Sequence, residues 1–216
     1  MSYRAQLRGW KFIYLNDVTS PAELPSEINA LKSQQFRWTK GAIETARKML
    51  PEVWKSKLSL NVKIHATFHL TNNLVFQFIV LAGILNVPLV FIKHAGMHNE
   101  YFAFMSIFVF AFIGSFFFYL FSQKDVYKDW QRRLFLFPVF MAGSMGFAVN
   151  NSRAVLEALF KKKSEFVRTP KYNIRDKKDS WTDKKYTPAK ISYTVFIEVL
   201  LAVYCLFGVV SSIYFR

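Results

Sequence analysis

The chain has 216 residues, of which 29 are Lys or Arg and 14 are Asp or Glu, so its formal net charge is +15. Hydrophobic residues nevertheless make up 52% of the sequence, and 24 residues are Phe. The apolar content excludes an intrinsically disordered chain, and a single cysteine, Cys205, excludes a disulfide scaffold. High charge and high hydrophobicity are compatible when they are segregated along the chain, as in a membrane protein with basic segments outside the hydrocarbon.

The beginning of the chain predicts a short strand followed by a long helix. Residues 12–14 are an apolar run, Phe-Ile-Tyr, which is typical of a buried strand. Turn-forming residues are frequent in positions 16–25, and Ser26 after them is a suitable helix N-cap. We therefore expect a helix that begins near Ser26 and ends at about Leu50.

Three residues of that helix share one face. Gln34, Arg37 and Trp38 are spaced i, i+3 and i+4, which brings their side chains to the same side of a helix. Together they offer an amide, a planar cation and an indole ring, groups that bond the oxygens and cover the C–H face of a sugar. The alternative is that Trp38 anchors the chain at a membrane interface while Arg37 faces solvent or lipid phosphate.

The spacing Gln-x-x-Arg-Trp resembles the motif of processive family 2 glycosyltransferases, the cellulose synthase-like group. The flanking residues 2–10, 20–25 and 34–41 are similar to the mannan and glucomannan synthase-like branch of that group. The resemblance implies that Gln34, Arg37 and Trp38 lie at the mouth of a glycan channel, where they contact the acceptor sugar and the nucleotide diphosphate.

Four later stretches are almost without charge: residues 70–92, 101–121, 134–149 and 191–215. A helix needs about 20 apolar residues to cross the hydrocarbon core of a bilayer. The first, second and fourth stretches reach that length, whereas the third is shorter and is interrupted by proline and glycine. We therefore predict three transmembrane helices.

Basic residues are distributed unevenly among the connecting segments. Residues 1–63 (eleven bases, five acids), 123–133 (four and two) and 161–190 (eleven and four) are positive, whereas residues 93–100 are neutral. Since positive loops stay in the cytoplasm, we expect a multi-pass integral membrane protein whose N-terminal segment and 161–190 loop are cytoplasmic. If the source is bacterial, the membrane would be the inner (plasma) membrane.

The third apolar stretch lies between two segments that are both expected in the cytoplasm. Residues 134–149 must then re-enter the membrane or lie along its surface; a short span with altered topology is the alternative. Residues 150–160 continue the stretch with apolar side chains at helical spacing, as in an interfacial helix. The expected apolar face comprises Val155, Leu156, Leu159 and Phe160, with Arg153 and Glu157 on the other side.

The basic loop contains a second motif. Residues 166–171, Phe-Val-Arg-Thr-Pro-Lys, resemble the gating loop of cellulose synthase-like enzymes, whose pattern is Phe-x-Val-Thr-x-Lys. The resemblance implies that this loop covers the bound nucleotide sugar and that its bases face the diphosphate. A polybasic loop that binds anionic lipid is the alternative, and it is the interpretation we adopt for residues 161–163. The expected gating residues are Phe166, Arg168, Thr169 and Lys171.

Polar residues inside the apolar stretches are costly in lipid and indicate a polar neighbour. His69, Asn73 and Gln77 are spaced i, i+4 and i+8 at the start of the first span, where they would line a glycan channel or form hydrogen bonds between helices. Glu198 in the last span would line the channel or pair with a base. Two histidine pairs at i, i+4 spacing lack further ligands nearby, so we expect no metal site in this chain.

Together these features predict a mostly α-helical fold. It would be an α-helical membrane domain with amphipathic interface helices, preceded by a remnant of a GT-A-type α/β glycosyltransferase domain. Residues 1–63 would hold the end of that domain and the Gln-x-x-Arg-Trp helix, and residues 64–122 two transmembrane helices. Residues 123–190 would hold the interfacial or re-entrant helix and the gating-like loop, and residues 191–216 the last transmembrane helix.

The resemblance implies the membrane and acceptor-channel portion of an enzyme that transfers a hexose from GDP-mannose or UDP-glucose to a growing β-glycan. Such enzymes hold Mg²⁺ or Mn²⁺ with an Asp-x-Asp set, which this sequence lacks. We therefore expect a catalytically incomplete chain that contains no catalytic residue and binds no cofactor itself. Its partners would be the lipid bilayer, a nucleotide sugar and a polysaccharide, with no nucleic acid.

Two other classes of function remain as alternatives. The first is a non-enzymatic membrane scaffold or assembly subunit with a polybasic lipid-binding loop. The second is a transporter or channel subunit, which would require charged or broken helices at mid-membrane.

Overall fold

The computed structural model of the protein describes residues 2–15, 17–20, 22–25, 27–165 and 193–215, without the side chain of Val109. These residues are mostly α-helical and include no β-strand, so the predicted mostly-α fold is confirmed. Short 3₁₀ turns over Asn72–Leu74 and Ser106–Phe108 connect some of the helices. The α-helices are α1 (Ser2–Leu7), α2 (Ile28–Lys55), α3 (Leu60–Thr71), α4 (Val75–His94), α5 (Asn99–Met105), α6 (Val109–Val126), α7 (Trp130–Leu134), α8 (Phe137–Gly146), α9 (Ala148–Leu159) and α10 (Thr194–Tyr214).

Three helical stretches of the described residues are long and apolar enough to cross a bilayer: Leu60–His94, Asn99–Val126 and Thr194–Tyr214. Their side chains are largely exposed, which is expected where lipid covers them. The number agrees with the predicted three spans. By contrast, α8 has ten residues and is about 15 Å long, half of what the hydrocarbon core requires. The three helices indicate a membrane protein, and the sidedness of its loops stays a prediction.

The chain forms two compact units. The first unit comprises Met1–Gln77 and Asn150–Tyr193, and the second comprises Phe78–Val149 and Thr194–Arg216. In the first unit, α2 packs against α1, α3 and α9. The buried residues of α2 are Ala30, Thr39, Lys40, Ile43, Ala46, Met49 and Val53. From Lys40 onward they recur at spacings of three and four, so they form one continuous face over that part of the helix.

Helix contacts within the second unit include those of α4 with α10 and of α6 with α8. Where α4 meets α10, the Tyr204 hydroxyl donates to the Ile84 carbonyl (2.9 Å) and His94 stacks on Phe215, with ring centroids 4.0 Å apart. Where α6 meets α8, Phe137 is 3% exposed and its ring lies 5.0 Å from that of Tyr119. Apolar and aromatic side chains therefore dominate the packing of this unit.

Two predictions for the start of the chain are wrong. The side chains at positions 12, 13 and 14 are 64%, 85% and 88% exposed and form no strand, because no second strand exists among the described residues to pair with them. The long helix begins at Ile28 with Glu27 as its N-cap, and Ser26 lies outside the described residues. It also continues through Pro51 to Lys55, since its buried face extends as far as Val53, which is 1% exposed.

The predicted orientation of the interfacial helix is also wrong in part. Val155 is fully buried against Ile43 and does not share the exposure of its expected neighbours Leu156, Leu159 and Phe160. Glu157, expected on the polar side, is 7% exposed. The charged side of α9 therefore packs against α2, which is possible because partners from the protein neutralise the buried carboxylate.

Candidate functional site

The two sides of α2 have different environments. Trp38 is 60% exposed, whereas Thr39 and Lys40 immediately after it are buried. Since each residue of an α-helix is rotated by about 100° from the last, Lys40 lies on nearly the opposite side from Trp38. Gln34, half-buried, shares the side of Trp38 by helical spacing, whereas the half-buried Arg37 lies between the two sides, since it is three residues from Lys40 as well as from Gln34. Trp38 thus occupies the outer side of a helix whose inner side is packed, with Gln34 beside it and Arg37 at the boundary.

An ion triad fixes that inner side: its ammonium and its carboxylate are buried, and its guanidinium is partly exposed. The Lys40 ammonium lies 3.1 Å from Oε2 of Glu157, and Nε of Arg153 lies 2.9 Å from Oε1 of the same carboxylate. The side chains of Lys40 and Glu157 are only 7% and 8% exposed. Burial alone would raise the pKa of Glu157, but the hydrogen bonds from Lys40 and Arg153 outweigh it and hold the pKa below its ordinary value. Glu157 is therefore a carboxylate at neutral pH.

Lys40 also holds the chain that leaves α9. Its ammonium donates to the carbonyl of Lys162 (2.6 Å) and to the hydroxyl of Ser164 (2.8 Å), in addition to Glu157. Three acceptors match the three N–H bonds of an ammonium. Lys161 has a left-handed backbone, with φ of 59°, and reverses the chain at the end of α9. This reversal brings residues 162–164 back to α2.

Two arginines, Arg47 and Arg153, make further contacts between α9 and its surroundings. Nη1 of Arg47 donates to the Ala158 carbonyl (2.6 Å), which satisfies an acceptor in the last turn of the helix. The Arg153 guanidinium lies near two rings, with its central carbon 5.1 Å from the centroid of Phe36 and 5.0 Å from that of Tyr193. Both distances are within the range of cation–π attraction.

The predicted polar stripe at the start of the first span has partners within the protein. The Tyr3 hydroxyl lies 2.7 Å from Nδ1 of His69, the Thr39 hydroxyl donates to Asn73 (3.5 Å), and Gln77 donates to the Ser152 carbonyl (2.7 Å). These bonds favour the interhelical alternative, and a channel-lining role stays a prediction.

Other candidate positions are partly outside this region. Glu198 is half-buried in the second turn of α10, in the second unit. The predicted gating residues Phe166, Arg168, Thr169 and Lys171 lie outside the described residues. Among the residues described, no group of three or more His, Cys, Asp or Glu residues could hold a metal ion.

Sequence reasoning missed the ion triad. Two signals pointed to it: Lys40 is in register with Phe36 and Ile43 at spacings of four and three, and Arg153 and Glu157 are an i, i+4 pair. The pairing of Lys40 with Glu157 spans 117 residues, and no local pattern encodes a contact of that range.

Comparison with known proteins adds family information for part of the chain. No protein-family profile matches it, and no solved structure matches it. It is similar to glucomannan 4-β-mannosyltransferase 1 of Oryza sativa subsp. japonica, with 43% identity over 70 residues, which are 32% of this chain and 13% of that protein. It is also similar to the probable glucomannan 4-β-mannosyltransferase 4 of the same plant (40% over 85 residues) and to glucomannan 4-β-mannosyltransferase 7 of Arabidopsis thaliana (38% over 85 residues).

Each of the last two matches covers 39% of this chain and 15% of the relative. The chain therefore spans only 13% to 15% of the length of these curated relatives. The matches confirm the resemblance predicted from the sequence: over about a third of its length, the chain is similar to glucomannan 4-β-mannosyltransferases.

Proposed function

We propose that this protein is the membrane and acceptor-channel portion of a family 2 glycosyltransferase. The complete enzyme would transfer a hexose from GDP-mannose or UDP-glucose to a growing β-glycan and pass the product outward. The similarity to glucomannan 4-β-mannosyltransferases supports the reaction class, and the three apolar helices support a membrane location. The proposal includes the predicted sidedness, with the N-terminal segment and the 161–190 loop in the cytoplasm.

The observation that carries the proposal is the two-sided character of α2. Its outer side presents the Trp38 indole, 60% exposed, one helical turn from Gln34 and beside Arg37. Its inner side is locked by Lys40 and Glu157. A sugar-stacking ring is most effective when its backbone is already fixed, because less freedom is then lost on binding. The helix is therefore suited to hold an acceptor sugar in one orientation.

Donor chemistry requires residues beyond these 216. We propose that an Asp-x-Asp set with Mg²⁺ or Mn²⁺, and the acidic base that deprotonates the acceptor, are supplied by a nucleotide-sugar-binding domain. Without that domain the chain would be inactive. Phe166, Arg168, Thr169 and Lys171 would cover the donor, and His69, Asn73, Gln77 and Glu198 would contact the passing glycan.

The test measures polymer synthesis in membranes that contain the chain together with a donor-binding domain from a glucomannan mannosyltransferase. Labelled GDP-mannose and UDP-glucose are supplied separately, and the rate is divided by the amount of membrane-inserted chain. Trp38→Ala should lower the rate at least about tenfold, equivalent to about 1.4 kcal/mol of lost acceptor binding or orientation. Trp38→Phe should retain part of the rate because a flat ring remains.

The matched control is Trp54→Ala on the same helix. Trp54 is 47% exposed, and its indole N–H donates to the Thr67 hydroxyl (3.0 Å). Its removal should leave the rate per inserted chain unchanged. A scaffold or assembly subunit would give the opposite pattern, with Trp38→Ala lowering only the amount of inserted protein. An unchanged rate for Trp38→Ala would refute the proposed function.

A further inference from the structure

The chain segments on either side of residues 166–192 are both tied to a single carboxylate. On the entry side, the Lys162 carbonyl and the Ser164 hydroxyl accept hydrogen bonds from Lys40, which is paired with Glu157. On the exit side, the Tyr193 ring lies under the Arg153 guanidinium, which is bonded to the same Glu157.

The entry and exit segments are held by different cations, and both cations are bonded to Glu157. Among the contacts of the described residues, Lys40 donates to the entry segment, whereas Arg153 contacts Tyr193 of the exit segment. Glu157 bonds the two cations with separate oxygens, Oε2 to Lys40 and Oε1 to Arg153. Loss of Lys40 should therefore release one segment, whereas loss of Glu157 should weaken the hold on both.

We propose that Glu157 is a positioning residue of the synthase, which acts through Lys40 and Arg153 to hold residues 162–164 and Tyr193 against the helix that presents Trp38. The inference rests on the proposed function. It adds that the rate of glycan transfer depends on where these flanking segments are held, although none of the three residues needs to touch a substrate. A displacement of about 1 Å far from the reacting atoms can lower a rate by about a hundredfold.

The first experiment measures the anchoring itself, without any activity. The full chain in lipid nanodiscs is treated with trypsin, and cleavage after residues 161–163 is followed by mass spectrometry. Cleavage of a folded protein follows the population of its opened form. Glu157→Gln and Lys40→Met should each accelerate this cleavage about tenfold or more, whereas Lys40→Arg, which keeps the charge, should restore much of the protection. Unchanged cleavage in both neutral variants would overturn the inference.

The second experiment separates positioning from folding. Glu157→Gln leaves the buried Lys40 ammonium without its carboxylate, whereas the double variant Lys40→Met with Glu157→Gln removes that charge too and should insert and fold better than Glu157→Gln alone. The synthesis rate per inserted chain should nevertheless stay at least about tenfold low in the double variant, because the donor to Lys162 and Ser164 is missing. A purely structural triad would give a wild-type rate per inserted chain in the double variant, which would overturn the inference.

The matched control is Asp129→Asn, which breaks another arginine–carboxylate pair at i, i+4 spacing, but an exposed one. It should change neither the trypsin pattern nor the rate. Failure of the two proposals is distinguishable: a normal rate in Trp38→Ala refutes the proposed function, whereas a low rate in Trp38→Ala with normal rates in the triad variants refutes only the positioning role.

Discussion

The two compact units of this chain are stabilised by different kinds of contact. In the first unit, side chains of Lys40, Glu157 and Arg153 meet across α2 and α9, and amides and hydroxyls bond backbone carbonyls between helices. In the second unit, the closest packing joins small, apolar and aromatic side chains, such as Gly208 against Val87 and Phe137 against Tyr119.

This difference determines how each unit should respond to substitution. A buried ion pair is sensitive to the loss of one partner, since the remaining charge is then uncompensated. A close apolar contact is instead sensitive to added volume, because the interior has no room for it. Three substitutions or conditions test this comparison, beginning with the largest expected effect.

Glu157→Gln should destabilise the first unit by about 3–5 kcal/mol, the usual result of leaving a buried cation without its partner. The measurement is the free energy of unfolding in detergent, followed by circular dichroism in denaturant. Asp129→Asn, whose carboxylate is 57% exposed, serves as the control and should leave unfolding unchanged. Equal effects of the two substitutions on the free energy of unfolding would show that burial of the Lys40–Glu157 pair does not add to its contribution to stability.

Gly208→Ala should destabilise the second unit by about 1–3 kcal/mol. A Cβ at position 208 would lie 2.6 Å from Cγ2 of Val87, and a β-branched side chain has little freedom to move away. Val87→Ala in the same chain should restore stability. Gly83→Ala on α4 is the control, since its Cβ would meet nothing within 4 Å. An unchanged free energy of unfolding in Gly208→Ala would contradict the statement that the second unit is sensitive to added volume.

Acid should weaken the first unit in a way that depends on Glu157. Because the folded-state pKa of Glu157 lies below its value in the unfolded chain, its contribution to stability is complete above the unfolded value of about 4.3. That contribution is lost as the pH falls through the lower, folded-state pKa. Unfolding free energies measured from pH 7 to pH 3 should therefore decline more steeply in the wild-type chain than in Glu157→Gln. If the unfolding free energies of the two chains declined in parallel with pH, the lowered pKa of Glu157 in the folded protein would be contradicted.

Part of the fold follows directly from local composition. Three apolar stretches were long enough for a bilayer, and the corresponding helices are Leu60–His94, Asn99–Val126 and Thr194–Tyr214. The helical spacing of Gln34, Arg37 and Trp38 likewise required only the 3.6-residue period. The prediction of a strand over residues 12–14 was wrong, because a strand requires a partner strand elsewhere in the chain, and the described residues include none.

The apolar helices and the outer side of α2 follow from the sequence alone, because length, hydrophobicity and helical period are properties of neighbouring residues. What lies on the inner side of α2 follows only from the tertiary structure. The Lys40–Glu157 pair joins residues 117 positions apart, and the left-handed Lys161 brings residues 162 and 164 back to the same ammonium. Such contacts depend on which helix faces meet, and in this chain the charged side of α9 meets α2 because the two cations compensate the buried carboxylate.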